Sequence, residues 1–530
     1  MEKLKDNNVL THETKKTRSE AIDKADGDSY NHMAPFVHCF ETDKSKYVYD
    51  ANTMCIANVD EVTWEIISDV RVLGQEEIVV KYGDRFETDS IAEAYNRIIE
   101  QQQAGYFLSK RPKKVEFHMS EEQIRQKLLT ERKILTLYVT ELCNFRCRYC
   151  VYDGCHSNRP SHSMKQMDWS VAKQAIDDFL PHSDPADSAS ITFYGGEPLL
   201  NIDLIKECVQ YARKAAGDRK LRFSLSTNGS LLKGEVAEFL AAEEFSVRIS
   251  LDGPREIHDR YRRTADDQPT WDLVAQNARE FVRRYPERKL MLNFTAVLVP
   301  PLNVEDFDDF CRTSDLIQEG TLMQVTFVDT KGLSEDTFDP RRIEGLKTLY
   351  GKFMENMCSG AINKDGRSTQ YLVQRQLFEQ DLLHFHKRFE MDSRLEPLPD
   401  IYCSLGTCIP GTRRTFVGTD GGYWPCERLP QSDYFRIGDV VNGFDIPKIH
   451  RMLKEWIDMV KDQCADCWCI RGCMTGCISV INNGERPTRE QRRAECQKFR
   501  RKKQKLMTDY CKILESNRTN LDYMNDITIK

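Results

Sequence analysis

The sequence predicts an α/β fold in which parallel strands alternate with helices. From Lys133 to about Thr330, short apolar runs alternate with amphipathic segments in six units, an order typical of a parallel sheet covered by helices. The predicted strands are Ile134–Val139, Ala189–Phe193, Arg222–Leu225, Ser246–Ser250, Met291–Val297 and Met323–Val328. The predicted helices are Trp169–Leu180, Ile202–Ala215, Gly234–Glu243, Trp271–Arg284 and Val304–Thr313. Two further observations shape the prediction: the cysteines cluster, and a small β-β-β-α-α-α block precedes the alternation.

That N-terminal block spans residues 31–128 and follows a charged segment, residues 1–30, that is predicted to be disordered. Three segments of the block are either continuously apolar or alternate between apolar and polar residues, and turn residues separate them. These predicted strands are Phe36–Phe40, Lys46–Tyr49 and Met54–Ala57. Its predicted helices are Glu61–Val70, Gln75–Tyr82 and Ser90–Gln103. Asp60 is the predicted N-cap of the first helix.

Composition excludes several classes of protein. The chain has 530 residues, of which 40% are hydrophobic and 30% charged, and it contains no apolar run of transmembrane length. Its N-terminus lacks the apolar core of a signal peptide, so a cytoplasmic location is expected. The net charge of −7, from 76 basic and 83 acidic residues, argues against binding to nucleic acid.

The 19 cysteines are not expected to form disulfides in a chain without an export signal. Three lie at positions 143–150, three at 403–426 and six at 464–496. Clustered thiols in a reducing compartment predict metal binding and sensitivity to oxygen.

The first group, Cys143, Cys147 and Cys150, has a C-x3-C-x2-C spacing directly after a predicted strand. Three thiolates would hold a [4Fe–4S] cluster and leave one of its four irons open. A structural zinc site closed by Cys155 or His156 is the alternative that spacing alone leaves open.

With Tyr149 before the last cysteine, this stretch resembles the signature of the radical S-adenosylmethionine enzymes. The resemblance implies a partial (β/α)6 barrel over residues 129–330, with its chemistry at the carboxyl ends of the strands. It also implies that S-adenosylmethionine chelates the open iron and is cleaved to a 5′-deoxyadenosyl radical, with the protein supplying binding and orientation.

Motifs at the ends of later strands extend the resemblance. Tyr194–Pro198 matches a GGEP motif, in which glycines let backbone approach a ligand closely. Ser226–Gly229 and Ser250–Pro254 end the next two strands, and His258–Arg262 matches an HDxxR element. Each of these segments is also compatible with an ordinary turn or with charges that brace the barrel rim. The resemblance assigns S-adenosylmethionine contacts to Tyr149, Gly195, Gly196, Glu197, Ser226, Asn228, Ser250 and Arg262, with Arg262 preferred to Arg263 as the partner of the methionine carboxylate.

A helical connector, residues 331–400, leads to a cysteine-rich domain at 401–500 and a C-terminal helix and tail at 501–530. The cysteine-rich domain resembles the SPASM extension of radical S-adenosylmethionine maturases, which carries two auxiliary [4Fe–4S] clusters. The resemblance assigns the first to Cys403, Cys408, Cys426 and Cys477, and the second to Cys464, Cys467, Cys473 and Cys496. Structural zinc is the alternative. Cys469 is an extra cysteine that could replace a neighbour, and without Cys403 the first auxiliary cluster would have an open iron.

The segments His386–Arg388 and Cys408–Val417 resemble maturases of cysteine-rich ribosomal peptides, of the sactipeptide and ranthipeptide type. The N-terminal block resembles a RiPP recognition element, in which a leader peptide adds a strand to the edge of the sheet. These resemblances imply a thioether-forming maturase of a precursor peptide, reduced by a donor such as flavodoxin or ferredoxin. Carbon–carbon crosslinking, epimerisation, sulfatase maturation and a non-catalytic metal-binding regulator are the alternatives.

Overall fold

The computed structural model describes residues 33–153, 161–183, 188–317, 321–328, 343–362, 371–388, 397–403, 408–481 and 486–527. The segment predicted to be disordered lies outside these residues, as do Cys155 and His156.

The N-terminal block folds as the alternation predicts. Its antiparallel sheet has the order β1-β2-β3, formed by Val37–Glu41, Lys46–Asp50 and Ile56–Val59. Helices α1 (Glu61–Ile66), α2 (Gln75–Tyr82) and α3 (Thr88–Gln103) follow. Asp60 is the N-cap of α1, as predicted, since its carboxylate accepts from the backbone N–H of Thr63.

This small sheet is buried on both faces. Val48 in β2 packs on α1 and α3 through Ile66 and Ile98. Tyr47 and Tyr49 point to the opposite face because side chains alternate along a strand, and they pack against the connector and the C-terminal helix. The N-terminal block is therefore integrated into the rest of the protein.

A short strand β4 (Lys114–Val115) and helix α4 (Glu121–Thr130) lead into the central sheet. The central parallel strands are β5 (Ile134–Thr140), β6 (Ala189–Gly195), β7 (Leu221–Thr227), β8 (Ser246–Ser250), β9 (Leu292–Leu298) and, after the short β10 (Leu302–Asn303), β11 (Met323–Phe327). The helices between them are α5 (Trp169–Phe179), α6 (Ile202–Ala216), α7 (Gly234–Ala242), α8 (Arg255–Tyr261), α9 (Trp271–Arg284) and α10 (Val304–Thr313). All six predicted strands and all five predicted helices are present, with their ends shifted by no more than a few residues.

The two faces of this sheet differ in chemistry. Residues such as Leu137, Phe193 and Ile249 face the helices and form the main hydrophobic core. The opposite face, called the inner face below, is largely polar. Residues that pair between neighbouring strands lie on the same face, and so does every second residue along a strand. Register therefore places Thr192, Ser224, Ser226, Arg248 and Ser250 together on this inner face.

The cysteine-rich region completes the same sheet. After β12 (Ile343–Glu344) and β13 (Ile401–Tyr402), strand β14 (Arg414–Val417) pairs in parallel with β5, and β15 (Gly422–Trp424), β16 (Gly438–Asp439) and β17 (Gly443–Phe444) continue outward. Among the described residues, the sheet thus has ten strands in the order β11-β9-β8-β7-β6-β5-β14-β15-β16-β17.

Helices complete the C-terminal half. They are α11 (Leu346–Cys358), α12 (Leu372–Gln374), α13 (Gln380–His386), α14 (Ile446–Asp458), α15 (Lys461–Cys464) and α16 (Arg489–Ser516). The last of these contains the predicted C-terminal helix but begins earlier, at Arg489, so the predicted boundary at residue 500 falls inside it. His386, Lys387 and Arg388 are buried, and Arg388 donates to the backbone carbonyl of Met54 at 2.8 Å. This segment therefore joins the connector to the N-terminal block.

Within the described residues, no helix combines the length and hydropathy needed to cross a bilayer.

Candidate functional site

The loop that carries Cys143, Cys147 and Cys150 begins where β5 ends and is held by the segment after α8. The backbone N–H of Arg146 donates to the carbonyl of Arg263 at 2.7 Å, and that of Arg148 donates to the carbonyl of Tyr261 at 2.9 Å. Residues 146–148 therefore run antiparallel to 261–263, and this pairing places Cys147 opposite Arg262.

The three thiols lie close together in a buried site. Burial raises the pKa of Cys143 to about 12 and that of Cys150 to about 12, and neighbouring cysteines of the loop contribute to both shifts. The backbone N–H of Phe145 donates to the Cys143 sulfur at 3.4 Å. Without a cation these thiols stay protonated at neutral pH, whereas a coordinated metal makes such thiols ionise. A buried group of three soft donors with an N–H···S contact fits an iron–sulfur cluster.

The two glycines of the GGEP motif serve contacts within the protein. A Cβ on Gly195 would lie 2.6 Å from the Thr140 carbonyl oxygen, and one on Gly196 would lie 2.4 Å from the Leu142 carbonyl oxygen. The Gly196 N–H donates to the Thr140 carbonyl at 2.8 Å. The glycines therefore let the end of β6 lie directly against the start of the cysteine loop. The predicted contact of Gly195 and Gly196 with S-adenosylmethionine stays a prediction.

Glu197 links the ends of β6 and β7. It is fully buried, and its carboxylate accepts from the Leu199 N–H at 3.1 Å, the Thr227 hydroxyl at 2.7 Å and the Asn228 N–H at 2.7 Å. Burial raises the pKa of Glu197 to about 7 although these donors oppose the shift. The predicted contact of this carboxylate with the S-adenosylmethionine amino group stays a prediction, since the structure gives Glu197 a bracing role.

Asn228 joins the β7 turn to the cysteine loop. Its side-chain amide donates to the Asn144 side-chain oxygen at 2.8 Å and lies 3.9 Å from the Cys143 sulfur. Asn144 in turn donates to the Ser230 hydroxyl at 2.9 Å. Asn228 therefore holds the first cysteine in place, and Asn144 and Ser230 are partners that the motif analysis did not select.

Arg262 takes part in a buried polar triad with Tyr149 and Asp252. Its Nη1 donates to the Tyr149 hydroxyl at 2.6 Å and lies 3.8 Å from Asp252 Oδ2, to which the Tyr149 hydroxyl donates at 2.5 Å. Burial lowers the pKa of Arg262, but Cys147, Tyr149 and Asp252 raise it well above its usual range. Arg262 is 7% exposed and is already engaged, so the prediction that it pairs with the methionine carboxylate lacks support from its geometry.

The other residues of the HDxxR element brace this triad. His258 accepts from the Asp252 backbone N–H at 3.3 Å, and its other ring nitrogen lies 3.0 Å from the Thr270 hydroxyl. That hydroxyl donates to the Arg262 carbonyl at 2.7 Å. Burial lowers the pKa of His258 well below its usual value, so it is the neutral imidazole that holds Asp252 and Arg262 together.

Arg248 is a cation that the sequence analysis missed. It lies in β8 on the inner face, directly beside Ser226 of β7. The residue reaches solvent, while protein atoms surround much of its guanidinium group. Burial of its charged group lowers the pKa of Arg248, Arg414 lowers it further, and Glu427 opposes them. In the part of the chain that the structure describes, the side chain of Arg248 makes no hydrogen bond or ion pair. The polar alternation of the inner-face strands is the signal that would have pointed to it.

The C-terminal cysteines lie in two groups, and their assignment to two auxiliary clusters stays a prediction. Cys477 contributes to the raised pKa values of both Cys408 and Cys426, although burial is the larger cause for each. Burial raises the pKa of Cys403, and a hydrogen bond with the backbone of His118 opposes this shift. Neither cause involves another cysteine, so the link of Cys403 to this group stays a prediction.

The second group lines one cavity. Cys464, Cys467, Cys473 and Cys496 share it with Cys469 and with two arginines of α16. The Arg492 guanidinium lies 3.7 Å from the Cys496 sulfur, and that of Arg500 lies 3.8 Å from the Cys467 sulfur. Cations beside thiol sulfurs suit a centre held by four thiolates, and the chemistry of the donor set fits the predicted cluster. The side chain of Cys469 also forms a hydrogen bond with Cys467. This hydrogen bond is the largest cause of the lowering of the Cys467 pKa to about 6.

Among the described residues, no group of three or more His, Cys, Asp and Glu side chains is arranged to hold a single metal ion.

Comparison with known proteins defines the class. Residues 137–313 match the sequence profile of the Radical SAM superfamily, a span that contains the cysteine loop, the glycine motif and the Arg262 triad. This part of the chain is therefore a Radical SAM domain. It is more particularly homologous to anaerobic sulfatase-maturating enzymes.

Two curated relatives support that homology, and one solved structure has a similar fold. The cysteine-type anaerobic sulfatase-maturating enzyme of Clostridium perfringens (strain 13 / Type A) is 26% identical over 353 residues, which cover 63% of this chain and 85% of the relative. The serine-type enzyme of Bacteroides thetaiotaomicron is 30% identical over 142 residues, covering 26% of this chain and 33% of the relative. A structure described as native anSMEcpe with bound AdoMet and Kp18Cys peptide superposes with a TM-score of 0.52 at 22% identity, covering 74% of this chain and 99% of that one. This last likeness shows that the fold is shared.

Proposed function

We propose that this enzyme installs a thioether crosslink in a ribosomally synthesised precursor peptide. The thioether itself rests on the resemblance of His386–Arg388 and Cys408–Val417 to maturases of cysteine-rich peptides. The observation that supports a peptide substrate is the N-terminal three-stranded sheet, whose β3 edge pairs with no other described strand. Strand addition to such an edge is a recurring way to bind an extended peptide. The opposite edge, β1, contacts α16, so the leader peptide is assigned to β3.

The leader assignment has a direct test in hydrogen exchange. We expect added leader peptide to slow amide exchange in Ile56–Val59, because new backbone hydrogen bonds would protect these amides. Val37–Glu41 is the matched control, since β1 forms the other edge of the same sheet. Protection of both strands, or of neither, would contradict the assignment.

For S-adenosylmethionine, the inner face offers Ser226, Ser250 and Arg248. A guanidinium recognises a carboxylate through two parallel hydrogen bonds. We therefore assign the methionine carboxylate to Arg248 and keep Arg262 for the triad with Tyr149 and Asp252. When bound, the cluster supplies the electron that cleaves S-adenosylmethionine to a 5′-deoxyadenosyl radical.

The two C-terminal cysteine groups are assigned auxiliary [4Fe–4S] clusters, which brings the total to three. Cys408, Cys426 and Cys477 would hold the first with Cys403, and the cavity cysteines would hold the second. Anaerobic reconstitution should give about twelve irons per chain. Zinc in place of iron would remove the basis for the assignment. A flavodoxin or ferredoxin as electron donor, and the cytoplasmic location, stay predictions.

The crosslink joins the sulfur of a peptide cysteine to a carbon of an acceptor residue. One hydrogen atom leaves that carbon and ends in 5′-deoxyadenosine, while the thiol proton and one electron leave separately. The product is two hydrogen atoms lighter and has one thiol fewer. A carbon–carbon crosslink has the same mass loss but keeps its thiols, and epimerisation leaves the mass unchanged.

The test is anaerobic incubation with the precursor peptide encoded beside this gene, S-adenosylmethionine and a reductant, followed by alkylation and tandem mass spectrometry. A product that is two hydrogens lighter and takes up one alkyl group fewer supports the proposal. Full alkylation, or a precursor without cysteine, refutes the thioether.

Sulfatase maturation is the second candidate. It is favoured by the Clostridium perfringens relative, of which this chain covers 85%. A cysteine peptide taken from a sulfatase, incubated in parallel, separates the two: modification of that peptide alone assigns the chain to sulfatase maturation.

A further inference from the structure

We propose that Arg262 is a positioning residue of the radical cluster, and that its buried cation beside Cys147 makes the cluster easier to reduce. The inference rests on Cys143, Cys147 and Cys150 holding that cluster. It does not depend on the thioether, because the reduction can be measured without a peptide.

The backbone fixes where Arg262 lies. The hydrogen bonds from Arg146 to Arg263 and from Arg148 to Tyr261 frame Cys147 and Arg262 as an opposed pair. The side chain of Arg262 is almost fully buried, so water contributes little screening to its charge.

Tyr149 and Asp252 hold the guanidinium in this position. Nη1 of Arg262 donates to the Tyr149 hydroxyl at 2.6 Å, and the Tyr149 hydroxyl donates to Asp252. Asp252 is itself fixed, since its Oδ1 accepts from the Val297 backbone N–H at 2.9 Å. Nε of Arg262 is buried and has no hydrogen-bond partner among the described residues. The arginine is therefore oriented by its outer nitrogens, with its charge kept close to the cysteine loop.

The sign of the effect follows from charge. Three thiolates and a [4Fe–4S]²⁺ core carry one net negative charge, and reduction by a low-potential one-electron donor adds another without making or breaking a bond. A fixed cation stabilises the more negative state, and nearby charge is one of the factors that set cluster potentials. The Asp252 carboxylate acts in the opposite direction, but Arg262 is the charged residue that the paired backbone segments place directly opposite Cys147.

The test is the midpoint potential of the radical cluster in the full-length reconstituted protein, titrated with titanium(III) citrate and followed by electron paramagnetic resonance. The signal that changes on adding S-adenosylmethionine identifies the radical cluster. For Arg262→Gln we expect the reduced-to-oxidised ratio at a fixed ambient potential to fall about tenfold, which is about 59 mV for a one-electron couple. Arg262→Lys keeps the charge and should restore most of the shift.

Arg263→Gln is the matched control. This neighbouring arginine pairs with Asp267 at 3.1 Å at the surface, and its loss should leave the potential unchanged. A fully loaded Arg262→Gln protein with the wild-type potential, or a more positive one, overturns the proposal.

Should Arg262→Gln fail to take up iron, Asp252→Asn decides the question. This substitution removes the opposing charge with little change of shape, so the potential must become more positive. An unchanged or more negative potential refutes the role assigned to charge at this position.

Discussion

Replacing Gly196 by alanine is expected to disable the radical cluster while leaving most of the fold intact. The added Cβ would lie 2.4 Å from the Leu142 carbonyl oxygen and 2.8 Å from that of Glu141. Both are backbone atoms of the cysteine loop, so no side chain can rotate to relieve the contact. Reaching an ordinary contact of 3.4 Å requires the loop to move by about 1 Å.

The size of the effect follows from this displacement. Overpacking of this kind costs about 1–3 kcal/mol, which a protein of this size can tolerate. A functional constellation tolerates only about 0.5 Å, however, so the three thiols would no longer match a cluster. We expect anaerobic reconstitution to yield about four irons per chain fewer than the wild type. The signal that responds to S-adenosylmethionine should disappear with them.

Gly351→Ala is the matched control, because a Cβ there has no atom within 4 Å and the residue lies in α11. Its iron content should equal that of the wild type. Full iron content and a normal S-adenosylmethionine response in Gly196→Ala would refute the reasoning that this glycine exists for contact with the loop.

Three further predictions follow from the structure. Arg248→Gln should weaken S-adenosylmethionine binding about tenfold or more in equilibrium dialysis, because a charge-assisted hydrogen-bonded pair is lost. Arg222→Gln, a substitution in another central strand, should leave the binding unchanged. Equal losses of affinity in the two variants would disprove the assignment. Burial raises the pKa of Glu197 to about 7, above its usual 4.5, so its stabilising contribution is complete below about pH 4.5 and is lost as the pH rises through 7. The melting temperature of the wild type should therefore fall more steeply over this range than that of Glu197→Gln, and parallel curves would contradict this. Trp468→Ala removes a ring whose centroid lies 3.9 Å from that of the stacked His38 ring in β1. Amide hydrogen exchange should become faster in β1 but not in β9. Unchanged exchange in β1 would show that the stacking does not stabilise this strand.

The elements of the central sheet were predictable because their pattern is local. The strands from Ile134 and Ala189 are apolar runs of ordinary strand length, and the helices from Trp169 and Trp271 repeat their apolar residues every three or four positions. Their ends shifted by only a few residues. The cysteine loop is recognisable from its spacing together with Tyr149, which resemble the signature of a known family.

The rest depends on contacts between residues far apart in sequence. Nothing near Arg262 in the chain shows that it lies opposite Cys147. The resemblance assigns it only to the methionine carboxylate. Arg248 belongs to no motif, and only its neighbour Ser226 across the strand pair reveals its place on the inner face. The pairing of β14 with β5 is equally invisible, because parallel strands so distant leave no turn signature.

That last pairing also bears on how the protein is made. β5 begins at Ile134, and its neighbour β14 begins at Arg414. While the ribosome synthesises the intervening residues, β5 exposes an unpaired edge, which is a template for association with other chains. Pairing over so long a separation is also slow, because a large loop must close first. The nascent chain thus passes through a long interval with an open sheet edge beside three unprotected thiols. We expect overexpression to favour aggregation, and slower translation or added chaperone to raise the yield of protein able to take up iron.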